Sequence, residues 1–305
     1  MLTFKDITPA DKNLITSFTM NSNRRNCDLS FSNLCSWKFL YNTQFAVVEG
    51  FLIFKFWVEG KLAYMMPLGN GDLKSVLKKL EKDANEEGHS FCMLGICSSM
   101  RTELETIMPG QFVFTEDRDY ADYIYLRSDL ATLKGKKFQP KRNHINKFRN
   151  TYPDYTYSPI TPERIPECLE LEAEWCKENN CDQQEGTGNE RRALIYALQH
   201  FQELGLTGGI LHAGDRMAAF TFGMPISQDT FGTHVEKADT SIEGAYAMIN
   251  YEFANHIPEQ YLYINREEDL GIEGLRKAKL SYQPVIILPK YMACLKSQPM
   301  EMLKW

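Results

Sequence analysis

One order of elements is written twice along this chain, and that repetition constrains the fold more than any other feature. Ile7-Thr8-Pro9 returns as Ile160-Thr161-Pro162, each time where a strand-like run meets a helical one. Thr serves there as a helix cap, with Pro in the first turn. In each half two helical stretches follow, then three strands, a helix, a strand, a helix and closing strands. In the first half the three strands are Phe45–Val48, Phe51–Val58 and Lys61–Leu68, parted by Glu49-Gly50 and Glu59-Gly60, which reads as hairpin punctuation. In the second they are Gly208–His212, Met217–Pro225 and Thr230–Glu236. Met66-Pro67 returns as Met224-Pro225 at the second echo. The echoes lie 153 residues apart at the first and 158 at the second. That drift fits a diverged duplication of a whole unit better than a short tandem repeat. Two unrelated α/β domains with chance tripeptide matches are the competing account.

The 305 residues suffice for two ordinary domains. We expect lobes at 1–130 and 151–305, joined by residues 131–150. Further single strands are expected at Phe112–Thr115, Tyr123–Arg127 and Val285–Leu288, and a long polar loop at Cys176–Arg192, either a lid over an acceptor or a plain connection. The N-terminus has no basic stretch followed by an apolar core, so no signal peptide is expected. The most apolar run, Phe45 to Leu68, is broken by Glu49, Lys55, Glu59 and Lys61. A bilayer span needs about 20 consecutive apolar residues, so a soluble, cytoplasmic chain is expected. Eight cysteines form no C-x-x-C pair, so they are expected to be reduced and mostly buried. No metal site is expected, because the tight ligand pairs zinc takes are absent. A net charge of −6 disfavours nucleic acid as the main partner.

Against that acidic balance, Leu133–Asn150 holds Lys134, Lys136, Lys137, Lys141, Arg142, Lys147 and Arg149 and no acid. After Pro140 it can form a helix with Ile145 and Phe148 as inward anchors. Asn143, His144 and Asn146 interleave with the cations and offer directional hydrogen bonds. A solvated linker helix and a binding element for a phosphorylated ligand both remain open.

Two clusters of ionisable residues stand out in the second half. Strand alternation places His234 and Glu236 on one face of the fourth strand, with Thr233, Val235 and Lys237 on the other. Asn265, Arg266, Glu267, Glu268 and Asp269 follow the fifth strand, where strand ends border a ligand crevice in an open sheet. A strand end emerging into solvent and a polar connection are the plainer accounts of the two.

The element order resembles that of the GNAT acyltransferase superfamily, and its duplicated form resembles the Fem peptidyltransferases. Leu133–Asn150 and the stretch YINREEDLGIEGLRKAKLSYQP at 263–284 resemble the C-terminal domain of phosphatidylglycerol lysyltransferase. The resemblance implies a duplicated GNAT-like α+β fold, two mixed sheets flanked by helices. It also implies direct attack of an acceptor amine or hydroxyl on an activated acyl donor, a CoA or acyl-CoA thioester or an aminoacyl-tRNA, with an anionic lipid among the acceptors. The donor would lie against the fourth strand and the start of the next helix, touching Val235, Lys237, Ser241, Gly244 and Ala245. In that loop the Arg or Gln common in the family is absent, and Asp239 and Glu243 oppose an anion. The junction residues Lys141, Arg142, Asn143 and Asn146 would supply positive and polar groups if the junction folds back over it. The first half is expected to be mainly structural.

Glu236 is the expected base, with His234 and Asp269 beside it as catalytic candidates. Asn265, Arg266, Glu268, Lys279 and Tyr282 are the expected acceptor contacts. The other function class is a non-catalytic module that holds a phosphorylated ligand or anionic headgroup at the basic junction.

Overall fold

The computed structural model describes residues 2–179 and 185–299. The first half comprises β1 (Lys5–Asp6), α1 (Lys12–Thr19), α2 (Phe31–Ser36), α3 (Lys38–Tyr41), β2 (Gln44–Val48), β3 (Phe51–Val58), β4 (Lys61–Met65), β5 (Leu68–Gly69), α4 (Leu73–Glu86), β6 (Cys92–Ile96), α5 (Ser98–Ile107) and β7 (Phe112–Leu126). A junction of α6 (Arg127–Thr132) and α7 (Gln139–Thr151) follows. The second half comprises β8 (Thr156–Pro159), α8 (Ile165–Glu178), α9 (Glu185–Gln199), α10 (Phe201–Leu204), β9 (Thr207–Ala213), β10 (Arg216–Pro225), β11 (Thr230–Ala238), α11 (Ala245–His256), β12 (Tyr263–Asn265), α12 (Glu273–Leu280) and β13 (Ile286–Leu295).

Local chemistry accounts for much of this. The two hairpins turn on Glu49-Gly50 and Glu59-Gly60, all four residues at positive φ (51° and 82°, 51° and 78°). That geometry matches the twist of flanking strands in a two-residue turn. Pro9 and Pro162 each open a single 3-10 turn that leads into a helix. In α7, Ile145 and Phe148 are buried as expected, worth about 1.5–3 kcal/mol each if exposed in the unfolded chain.

The expected two mixed sheets are hydrogen-bonded into one. Its order is β1-β2-β3-β4-β6-β13-β7-β12-β11-β10-β9-β8, with β5 on β3. Read inward from either edge, the two halves run in the same sequence until the centre. There the last strand of each half lies beside the other half: β13 pairs with β6, and β7 pairs with β12. β7 and β13 also pair with each other along their length. The largest core cluster accordingly mixes both halves, with Ile7, Leu52 and Leu80 alongside Leu198, Phe220 and Leu295.

Several expectations change. Phe112–Leu126 is one 15-residue strand and not two, because both of its ends find partners in the centre of the sheet. The closing strand runs on to Leu295 for the same reason. The segment read as a loop at Cys176–Arg192 belongs to α8 up to Glu178 and to α9 from Glu185; residues 180–184, Cys181 among them, lie outside the described residues. The cysteines are not all reduced: Cys92 and Cys294 form a disulfide. They are direct cross-strand partners on β6 and β13, a closeness that 202 residues of separation conceal from spacing rules. The remaining described cysteines, Cys27, Cys35, Cys97, Cys168 and Cys176, are buried and outside any disulfide. Among the described residues no helix is long and apolar enough to cross a membrane.

Candidate functional site

The sheet splits between β11 and β12. Their parallel pairing covers only Thr230–Gly232 against Tyr263–Asn265. Beyond that point β11 continues to Ala238 alongside β10, while the segment after β12 turns away through Glu267, which sits at φ 59°. A non-glycine residue in that region costs roughly 1–3 kcal/mol and persists only where its surroundings fix it. Here Lys279 fixes it, its buried ammonium donating to the carbonyls of Arg266 and Glu268, and burial lowers its pKa. Asn265 Oδ1 accepts from the Glu267 amide at 2.7 Å. The result is a fork with Gly232 and Asn265 at its root.

At the root, β11 carries a bulge. Thr233 pairs with Gly223 and Val235 with Phe222, so His234 has no opposite residue. Bulges re-aim side chains, and this one breaks the alternation expected to place His234 and Glu236 together. His234 Nε2 shares a hydrogen bond with Ser30 Oγ (2.8 Å) and Nδ1 with Glu267 Oε1 (2.8 Å). Asn33 donates to the same carboxylate oxygen at 2.8 Å. Both ring nitrogens are therefore occupied, and the contacts tie α2 of the first half to the fork.

Glu236 faces a different set. Oε1 accepts from Arg266 Nη2 at 2.9 Å and Oε2 from Asn250 Nδ2 of α11 at 3.2 Å. The Arg266 guanidinium stacks 4.7 Å from the Tyr282 ring centre and 5.7 Å from that of Tyr125. Burial works against its charge, but Glu236 and the two tyrosines raise its pKa. From the junction, Lys141 Nζ sits 3.9 Å above the Tyr282 ring. Burial, reinforced by the nearby Arg266 charge, lowers the Lys141 pKa to about 8. Burial raises the pKa of Tyr282. Two cations and one carboxylate thus meet over an aromatic floor, a surface suited to an anion or an oxyanion.

The junction does fold over the expected donor loop. Gly244, at φ 86°, lies so close under α7 that an added Cβ would come 2.6 Å from the His144 carbonyl oxygen. Lys147 pairs with Glu243 and Arg216 with Asp239, so both loop acids have cations. Ser241 is exposed, its hydroxyl donating within the loop to Asp239 Oδ1 at 2.6 Å, and Ala245 is buried.

Other expected contacts lie elsewhere. Lys237 is buried 3.5 Å above the Trp175 ring and 2.9 Å from Glu190, and Val235 packs on the main core. Arg142 donates to the carbonyls of Leu133 and Gly135 and to Gln139, closing the turn before α7. Asn143 accepts from Gln139 at 2.8 Å, and Asn143 and Asn146 are both exposed. Asp269, fully buried, accepts from Arg276, Arg118 and Tyr123. Burial opposes its charge, but Arg276 and Tyr123 hold its pKa at about 2. A carboxylate so fully used is an anchor for α12.

Glu268 belongs to a buried charge cluster behind the fork. Lys290 Nζ, with no exposure, lies 2.7 Å from Asp28, 2.9 Å from Asp122 and 2.5 Å from Glu268. Burial works against the ammonium, and Asp122 and Asp28 overcome it, raising its pKa. Burial also raises Asp122 to about 7 despite Lys290. Cys27, Asp122 and Glu268 could group three ligand atoms within 4.8 Å of one another; Lys290 Nζ lies between them, 3.4 Å from Cys27 Sγ. Ser30, Asn33, Asn250, Tyr125 and Lys290 escape sequence reasoning, since each meets the site through a partner distant in the chain. The lone lysine in the apolar closing strand was the one signal available.

The fold is the tandem GNAT-like one. FemX matches it with a TM-score of 0.61 at 9% identity, covering 97% of this chain and 98% of that one. L-PGS from Bacillus licheniformis matches with a TM-score of 0.68 at 16% identity, covering 98% and 96%. Within that class the chain belongs to the family described as phosphatidylglycerol lysyltransferase, C-terminal, whose pattern matches residues 19–294. A conserved protein of unknown function from Bacteroides thetaiotaomicron VPI-5482 is 78% identical, with a TM-score of 0.95 over 97% of this chain and 100% of that one. The uncharacterized protein MYCGA3080 of Mycoplasmoides gallisepticum is 25% identical over 193 residues, 62% of this chain and 61% of the relative.

Proposed function

We propose that the fork between β11 and β12 is the reaction site of an acyl- or aminoacyltransferase, in which an acceptor amine or hydroxyl attacks the carbonyl of a CoA thioester or an aminoacyl-tRNA. One observation carries this: where the sheet opens, Glu236 is gathered with Arg266, Lys141 and Tyr282 from three separate segments. Such a set supplies a proton acceptor beside cations that stabilise a developing oxyanion. The family and the tandem fold supply the reaction class. An anionic lipid is one acceptor class that the cations suit.

Glu236→Gln keeps the shape and removes the proton acceptor. Turnover with either donor should fall about a hundredfold or more, with an unchanged circular dichroism spectrum. Full turnover in this variant defeats the assignment. An aminoacyl-tRNA donor further requires affinity that falls steeply with salt; flat affinity removes it.

A second role is favoured by the covering of the donor loop by α7 and the pairing of both its acids: a module that holds an anion at Lys141 and Arg266 without catalysis. Retained anion binding with no transfer from either donor would establish it.

A further inference from the structure

Two polar atoms at the fork lack partners. Asn250 is 5% exposed, and its Oδ1 is buried with no hydrogen bond, as is Nη1 of Arg266. Each residue donates from its other terminal atom to the same carboxylate, Asn250 Nδ2 to Glu236 Oε2 and Arg266 Nη2 to Oε1. Among the described residues, they are the only such unpaired atoms whose side chains share a partner. Unmade hydrogen bonds of buried groups are costly, so native structures seldom keep them without a reason. An unpaired acceptor and an unpaired donor flanking one carboxylate ask for a group that donates to the first and accepts from the second.

We propose that Asn250 Oδ1 and Arg266 Nη1 form a clamp for the tetrahedral intermediate of acyl transfer, with Asn250 holding the attacking group and Arg266 receiving the oxyanion. The clamp rests on the acyl-transfer reading of this fork and adds Asn250 as a catalytic residue. The attacking N–H or O–H donates to Asn250 Oδ1 or Glu236 while its lone pair forms the new bond to the carbonyl carbon. The proton passes to Glu236, and the carbonyl π pair moves onto oxygen against Arg266 Nη1. When the oxygen pair returns, the bond to the leaving thiolate or ribose oxygen breaks, and that atom takes the proton from Glu236. With Lys141 beside Arg266, the positive charges outnumber the one carboxylate, which favours the charged intermediate over the neutral ground state.

Inorganic phosphate is a suitable probe, since its monoanion is tetrahedral and carries both acceptor oxygens and a P–OH donor. Its affinity is measured by phosphorus NMR titration for the wild type, Asn250→Ala, Arg266→Lys and the exposed control Lys277→Ala. Each clamp variant should bind roughly tenfold more weakly or worse, as expected for one hydrogen bond to a charged group, with the control unchanged. In the wild type, phosphate should also shift the Arg266 side-chain nitrogen resonances, a readout that needs no variant to fold. Undiminished affinity in both clamp variants, or Arg266 resonances that do not move, overturns the clamp. Transfer assays with acyl-CoA and aminoacyl-tRNA run in parallel. Phosphate held by the clamp in a protein that transfers nothing removes the transferase reading alone, while transfer with an unresponsive clamp removes the clamp alone.

Discussion

Lys290→Met is the most informative perturbation of the buried charge cluster. The wild-type ammonium lies within 2.9 Å of three carboxylates, Asp28, Asp122 and Glu268, and has no exposure itself. Removing one partner of a buried ion pair typically costs about 3–5 kcal/mol, because the remaining charges stay desolvated. That is a large share of the roughly 5–15 kcal/mol that holds a domain folded. The loss should depend on pH in a definite direction. Asp122 already takes up a proton near pH 7 in the folded wild type, and without Lys290 its hold on that proton tightens. The unfolded carboxylate releases its proton near pH 4. Between those limits the folded variant binds more protons than the unfolded chain, so its stability rises as pH falls. One carboxylate titrating over this range returns about 1.4 kcal/mol per pH unit. Urea unfolding should show the variant itself about 2–3 kcal/mol more stable at about pH 5.5 than at about pH 7.5. The wild type shares most of that gain, because its own Asp122 titrates near pH 7, so the deficit between the two narrows by under about 1 kcal/mol. A deficit below about 1 kcal/mol at about pH 7.5, or a variant no more stable in acid, would refute the reasoning.

Gly244→Ala should destabilise the protein by about 1–3 kcal/mol, since a Cβ would meet the His144 carbonyl at 2.6 Å and φ is 86°; hydrogen exchange should show α7 loosening first, and protection of α7 unchanged from wild type argues against the contact. Asp269 has a folded pKa of about 2, below the ordinary aspartate value of 3.8. Its contribution is therefore fully present above about pH 4 and lost as pH falls toward 2, so acid unfolding of Asp269→Asn should show a shallower pH dependence across that window than the wild type. Breaking the Cys92–Cys294 disulfide by the double serine variant should cost about 2–5 kcal/mol, read as a lower urea midpoint; an unchanged midpoint rules out the bond as a stabilising link.

What could be read from the sequence was local or repeated. The Glu-Gly turns, the anchors of α7 and the strand-to-helix junctions at Thr8 and Thr161 each depend on neighbours a few residues away. The fork was legible in part because Glu236 lies near the end of β11 and Arg266 directly follows β12. The bulge at His234 was not, since it arises from the register against β10 and leaves no mark in the alternation. Lys237 fits a ligand contact in its own strand, yet Trp175 and Glu190 claim it from two helices. Ser30 and Asn250 carry no signal at all, being ordinary polar residues, one just before α2 and one within α11, until folding sets them beside His234 and Glu236. The disulfide and the Lys290 cluster share this cause, joining residues from opposite ends of the chain.

The crossed placement of β7 and β13 makes the two halves hostages to each other. Neither repeat can be cut out as a working piece, because each would lose its neighbouring central strand and expose the flank of its fifth strand. Synthesis proceeds from the N-terminus, so the first repeat must wait, its sheet gapped beside β6, until β13 has been made. A lesion near residue 290 is therefore felt in the sheet built by the first hundred residues, and a protease cut in the junction would leave the two fragments still laced together at the centre of the sheet.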